Sequence, residues 1–245
     1  MSADSPRGRE IEVRTPESPL KKPLIYLITD RRAFPEHQSI ERQLDAIEIA
    51  ARSGCQLIQI RERDLEARDL VAFVRAAISV ARPHQSKVIV NDRLDVALAA
   101  DADGVHLRSS SLSAFDTRSI ARLAPQREFL IGASVHSLEE SRSAIDGGAD
   151  FLVCGPLFET PSKRQYGAPL GVDKLAEVSR ASRIPVLGIG GINCENAPQV
   201  LARGAAGIAG ISLFTELTMV PERVRTILSL ELTPSIKYSS PGKEP

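Results

Sequence analysis

"QLIQIRERDLEARDLVAFVRAAISVARPHQSKVIVND" occupies residues 56–92, and the way it is read decides the fold. It opens and closes on short runs rich in Ile and Val, the composition of buried strands. Between them, Leu70, Phe73, Val74, Ala77, Ile78 and Ala81 recur at the spacing of one helix face. The stretch is therefore a strand, a helix and a second strand.

The same alternation continues on both sides. Strand-like runs begin near Leu24, Gln56, Lys87, Asp103, Phe129, Asp150, Ile184 and Ala206. Ser137 followed by Glu140 is a capping box and predicts a helix directly after "SVH". Asn193, after "GIGGI", is expected to cap another. Eight strand–helix units about 26 residues apart predict an α/β chain folded as a single (β/α)8 TIM barrel. A doubly wound open sheet is the competing architecture. It would want a glycine-rich phosphate loop after the first strand, where this chain has "TDRR". The barrel is assigned to residues 23–231, with no linker inside it. Residues 1–22 and 232–245 mix Pro, Ser and charge without periodicity and read as disordered tails.

Composition narrows the function. Lys+Arg and Asp+Glu are equal at 31 each, so no global charge invites nucleic acid or a membrane surface. Trp is absent and aromatics make up 4%, which leaves little for base stacking. Cys55, Cys154 and Cys194 form no close pair, which argues against a zinc site or disulfide framework and for a reducing, cytoplasmic setting. No apolar run is long enough to span a bilayer, and the first residues lack a signal-peptide core. Small molecules are the expected partners, and a homo-oligomer is compatible with the sequence.

In a (β/α)8 barrel, ligands bind where the strands end. Strand 2 places Leu57, Gln59, Arg61 and Arg63 on one face by the two-residue period. Cations aimed into a barrel need a carboxylate or a bound anion, and Glu62 and Asp64 are the local carboxylate candidates. Strand 3 ends in Asn91 and Asp92. Asp92 either binds Mg2+ through oxygen or caps the helix that follows. Strand 4 carries His106 and Arg108, then Ser109, Ser110 and Ser111. Strand 5 ends with Ser134 and His136, the latter an acid/base candidate. After strand 6 come Thr160, Ser162 and Lys163, hydroxyls and a point charge suited to phosphate oxygens. Strands 7 and 8 end in Gly190–Gly191 and Ile211–Ser212, whose backbone N–H groups suit a monophosphate. Two anion sites on one rim imply the joining of two phosphorylated fragments, with diphosphate as the leaving group.

The motifs "YLITD", "IQIRERD", "NDRLDVAL", "ADGVHL", "IGASVHS", "GPLFETPSK", "IPVLGIGGI" and "GAAGIAGIS" occur in the order and spacing of thiamine-phosphate synthase and its thiazole tautomerase relatives. The chain resembles that superfamily over residues 24–215. The resemblance implies a barrel that joins hydroxymethylpyrimidine diphosphate to a thiazole phosphate, releasing diphosphate. It assigns Gln59 and Asn91 to substrate binding, Arg61 and Arg63 (the latter Arg where the family has Lys) with Thr160, Ser162 and Lys163 to the diphosphate, Ser134 to its neighbourhood, and Asp92 to Mg2+. Gly190, Gly191, Ile211 and Ser212 would cradle the thiazole phosphate. After "GVHL" the synthases usually have Gly-Gln-x-Asp, whose Asp is a second Mg2+ ligand. This chain has Arg108, Ser109, Ser110 and Ser111 instead, and Arg108 is expected to supply the missing positive charge. The tautomerase branch, with His136 as proton shuttle, is the alternative activity. A non-catalytic protein that binds thiamine precursors is a third.

Overall fold

Eight strands close into a parallel barrel in chain order. They are β1 (Leu24–Ile28), β2 (Leu57–Ile60), β3 (Lys87–Asn91), β4 (Gly104–Leu107), β5 (Leu130–Val135), β6 (Phe151–Cys154), β7 (Val186–Ile189) and β8 (Gly207–Gly210). The sheet closes where β8 pairs with β1, Ile25 opposite Ile208. One helix follows each strand: α1 (Ile40–Arg52), α2 (Ala67–Ala81), α3 (Leu94–Ala99), α4 (Ala114–Ala121), α5 (Leu138–Asp146), α6 (Gly171–Ala181), α7 (Ala197–Ala202) and α8 (Val220–Leu228). This computed structural model describes residues 23–33, 40–122, 129–160 and 168–232. The expected tails, apart from Leu232, and the site candidates Ser162 and Lys163 lie outside the described residues.

The barrel expected from the sequence is the one found. Each strand begins within two residues of its expected start, because buried β-branched runs announce themselves. The two-residue period sorts strand side chains into two layers. Ile25, Leu27, Ile58, Ile60, Val88, Val90, Val105 and Ile131 pack outward under the helices. Tyr26, Ile28, Leu57, Ile89, Phe151, Val153, Leu187 and Ala209 fill the interior. The barrel is thus a packed core rather than a pore, and its chemistry is confined to the ends.

The two ends differ. At the strand N-termini a repeated clamp appears, in which the residue just before one strand binds an amide of the strand before it. Gln56 Oε1 accepts from Ile25 N–H at 2.8 Å, Asp103 from Val88 N–H at 2.9 Å and Asp150 from Ile131 N–H at 2.7 Å. Asp103 also pairs with Lys87, and Asp150 with Arg118. Charges at this end are spent on holding register.

The helix starts are partly as expected. Ser137 caps α5 by accepting from Glu140 N–H at 3.1 Å. Asn193 does not cap a helix directly. Its side chain accepts from the amides of Glu195 and Asn196, shaping the turn before α7, and Asn196 occupies the N-cap position.

Candidate active site

All eight strands are parallel and closed, so the residues at their C-terminal ends share one rim. Thr29, after β1, anchors the start of the site: its hydroxyl accepts from Arg61 N–H at 2.9 Å. Arg31 then takes both carboxylates of "RERD". Its guanidinium binds Asp64 through two hydrogen bonds of 2.7 and 2.8 Å and reaches Glu62 at 3.3 Å. Its backbone N–H donates to both Glu62 oxygens. Burial pushes the Glu62 carboxyl up, while Arg31 and Thr29 pull it back. The Arg31 guanidinium holds Asp64 below the usual carboxylate range.

The consequence falls on Arg61. Glu62 and Asp64 were its local candidates for neutralisation, and Arg31 has consumed both. Arg61 keeps one loose carboxylate, Asp30 at 3.9 Å, which also caps its own turn by accepting from Arg32 N–H. Burial, reinforced by the nearby Arg63 charge, holds the Arg61 guanidinium below its usual range. A half-buried cation short of negative charge is a standing demand for an anion. Arg63 differs from the expectation of a shared face. The strand ends at Ile60, so the two-residue period reaches Arg61 but not Arg63, which lies exposed in the turn.

Beneath the rim lies a polar floor among aromatic rings. Gln59 is 2% exposed and donates from Nε2 to the Tyr26 hydroxyl at 2.9 Å. His106 lies 5.8 Å from Tyr26 and 6.0 Å from Phe151, centroid to centroid. Its Nε2 shares a hydrogen bond of 2.9 Å with Ser134 Oγ, while Nδ1 is buried with no partner among the described residues. Burial pushes the imidazole pKa down to about 3, so the ring is neutral and Ser134 is held by an uncharged partner. Tyr26 and Arg31 were missed by sequence reasoning. The inward parity of Tyr26 in β1 and the place of Arg31 just after the strand end were the signals available.

Asp92 was open between a metal ligand and a helix cap. The N-cap position of α3 is Arg93, and no side-chain cap bond forms. The Asp92 carboxylate turns instead to the loop after β4. Arg108 donates to Oδ2 from Nη2 at 2.6 Å and from Nε at 3.0 Å, and Ser111 Oγ donates to Oδ1. Asp92 adopts a left-handed backbone with φ 65°, which costs on the order of 1 kcal/mol in a residue other than glycine. The Arg108–Asp92 pair is partly exposed, and such pairs contribute about 0–1 kcal/mol. Asn91, one residue earlier, is half-buried at the end of β3.

On the far side, the loops after β6 and β7 are tied together. Leu157 N–H donates to Ile189 O at 2.8 Å, and Phe158 N–H donates to Gly190 O at 3.1 Å. Gly190 has φ 97°, and a Cβ there would meet Pro156 Cβ at 2.6 Å. The glycine is thus demanded by the neighbouring loop, whether or not an anion also approaches it. Glu159, the residue before Thr160, lies against Gly191, where an added Cβ would meet its carbonyl oxygen at 2.8 Å. Thr160 Oγ1 is buried with no partner among the described residues, a donor awaiting an acceptor. Gly191 has φ 67°, and Ile211 leads into the 3-10 turn Ser212–Phe214, whose first amides have no acceptor within the turn. His136 sits at the end of β5, its Nδ1 3.0 Å from Glu140, which also accepts the His136 backbone N–H at 2.7 Å.

A family model described as thiamine monophosphate synthase matches residues 25–214. The chain is 44% identical over 189 residues to the thiamine-phosphate synthase of Roseiflexus sp. (strain RS-1), covering 77% of each chain. It is 42% identical over 207 residues to the putative thiamine-phosphate synthase of Geobacter sulfurreducens, covering 84% of this chain and 93% of that one. Its fold matches thiamine phosphate pyrophosphorylase from Pyrococcus furiosus with a TM-score of 0.72 and 34% identity, over 84% of this chain and 94% of that one. The chain belongs to the thiamine monophosphate synthase family.

Membership raises the question of Mg2+, which the family pattern implies at Asp92. A hard divalent cation wants several oxygen ligands, carboxylates foremost. In this member of the family both Asp92 oxygens are already engaged, one by a guanidinium and one by a hydroxyl. Among the described residues, no three His, Cys, Asp or Glu side chains are grouped as a metal site. The residues present at this position do not fit Mg2+. Nor does any helix among the described residues have the length and apolarity to cross a membrane.

Proposed function

We propose that the chain is a thiamine-phosphate-forming transferase, joining hydroxymethylpyrimidine diphosphate to a thiazole phosphate and releasing diphosphate. The observation that carries this reading is the uncompensated Arg61, half-buried on the rim, with the neighbouring carboxylates taken by Arg31. Family membership supplies the reaction class.

The bond between the pyrimidine methylene carbon and the diphosphate oxygen breaks, and its electron pair leaves with diphosphate. The methylene carbon becomes a resonance-stabilised cation. The thiazole nitrogen donates its lone pair to that carbon, forming the new C–N bond. Negative charge grows on the leaving group, so cations fixed beside it favour the transition state over the ground state. In this reading Arg61, at the end of β2, and Arg63, in the turn that follows, serve that role, and Thr160 offers a hydroxyl from the β6 side. Lys163 and Ser162 complete this set in the sequence pattern. Ser134, aimed by neutral His106, is a further hydrogen-bonding group on the same rim. The backbone around Gly190, Gly191, Ile211 and Ser212 is the proposed cradle for the thiazole phosphate. No step requires a general base, which agrees with a buried, neutral histidine.

The His136–Glu140 pair favours a second reading. A histidine whose Nδ1 is tied to a carboxylate is a plausible shuttle for thiazole tautomerisation. Both readings are tested together by supplying the protein with the pyrimidine diphosphate and the thiazole carboxylate phosphate and identifying the products. Thiamine phosphate is expected, with diphosphate released from the pyrimidine and carbon dioxide from the thiazole carboxylate. An isomerised thiazole alone would transfer the assignment to the tautomerase, and no product would leave a precursor-binding protein. In the synthase assay, Arg61→Ala should lower kcat by roughly 100-fold, the scale for removing one transition-state contact. An unaltered kcat would remove Arg61 from the site.

A further inference from the structure

The loop after β4 is shaped to deliver two groups to Asp92. Arg108 N–H donates to Ser111 Oγ at 2.8 Å, and Ser111 N–H donates back to Arg108 O at 3.0 Å. With its oxygen fixed in this turn, Ser111 spends its single proton on Asp92 Oδ1. Asp92 is fixed in turn by β4, through its own N–H to His106 O at 2.8 Å. Carboxylate, guanidinium and hydroxyl therefore form one unit across the ends of β3 and β4.

Resting on the synthase reading, we infer that Arg108 is a built-in cation of the diphosphate subsite, bridging Asp92 to the diphosphate oxygens so that diphosphate capture needs no divalent metal. Asp92 uses the Arg108 Nε–H and one Nη2–H. Three of the five guanidinium N–H donors remain, in the planar fork that suits phosphate oxygens. The side chain is 41% exposed, so those donors open toward solvent and a ligand. Charge balance agrees. A divalent ion between two carboxylates is locally neutral, and so is one guanidinium on one carboxylate. This chain carries the matched pair of changes, a neutral Ser111 at the second acidic position together with a cation at Arg108. Either change alone would leave the rim off balance by one charge.

The test uses inorganic diphosphate titrated calorimetrically into the full chain in the presence of EDTA. Binding is expected without metal, weakened at least ~10-fold in Arg108→Ala, the scale of a hydrogen-bonded charged contact. A second variant, Arg108→Gly with Ser111→Asp, rebuilds a carboxylate pair. It should bind Mn2+, read by electron paramagnetic resonance, and should need a divalent ion to hold diphosphate. Wild-type binding of diphosphate only when Mg2+ is added, or equal affinity in Arg108→Ala, would overturn the inference. The reaction is scored separately. Metal-free, Arg108-dependent diphosphate binding without thiamine phosphate formation would sink the reaction and keep Arg108 in this role. Thiamine phosphate formed only with Mg2+ would do the reverse.

Discussion

His106 is a titratable group kept from titrating. In an unfolded chain its pKa lies near 6.5; in the barrel interior, burial lowers it to about 3. Its contribution to stability is therefore complete above about pH 6.5 and is lost as the pH falls toward 3, because only the unfolded state takes up the proton. At pH 5 the loss from this group amounts to roughly 2 kcal/mol. Urea unfolding at pH 7 and pH 5 should show wild type losing about that much more than His106→Gln, whose side chain does not titrate. Equal losses would mean that the ring is not held neutral. The sequence places His106 on strand 4 but does not show its partner. Ser134 lies 28 residues away, and cross-strand register, not local pattern, makes them neighbours. Asp92 illustrates the same limit. "NDRLDVAL" allows a helix cap, and only the loop arriving from residues 108–111 draws the carboxylate elsewhere.

At the level of elements, strands and helices were legible because period-two and period-3.6 patterns are local. What strand ends do to one another was not. The competition for Glu62 and Asp64 is won by Arg31, 31 and 33 residues earlier in the chain, against Arg61 and Arg63 beside them. The contact between the β6 and β7 loops is likewise invisible in "GIGGI", which the sequence reads as a phosphate cradle. The structure gives the glycine a further task, since the loop carrying Thr160 packs on Gly190 where a side chain would stand. In Gly190→Ala the left-handed φ and the approach to Pro156 cost together about 1–3 kcal/mol. The displaced loops should also raise KM for the thiazole phosphate, because the strain acts on both. Urea denaturation and steady-state kinetics check the two effects; a stable variant with unchanged KM would show that the turn is neither strained nor part of the phosphate site.

Across the whole molecule, the net charge of zero conceals a division between the barrel ends. At the strand N-termini, Lys87 meets Asp103 and Arg118 meets Asp150, each acid also binding a strand amide. At the C-terminal rim, Arg61 has a carboxylate only at 3.9 Å, and Arg63 forms no hydrogen bond or ion pair among the described residues. Stability thus rests on apolar burial and short-range clamps, which salt screens weakly, while the proposed anion capture would rest on rim cations, which salt screens well. The two should separate on raising ionic strength from about 0.05 M to about 0.5 M, a change that shortens the Debye length by roughly threefold. The dissociation constant for inorganic diphosphate should rise several-fold, whereas the thermal midpoint should move by only a few degrees, as expected when surface ion pairs contribute about 0–1 kcal/mol each. Diphosphate affinity indifferent to salt would place the anion away from Arg61 and Arg63.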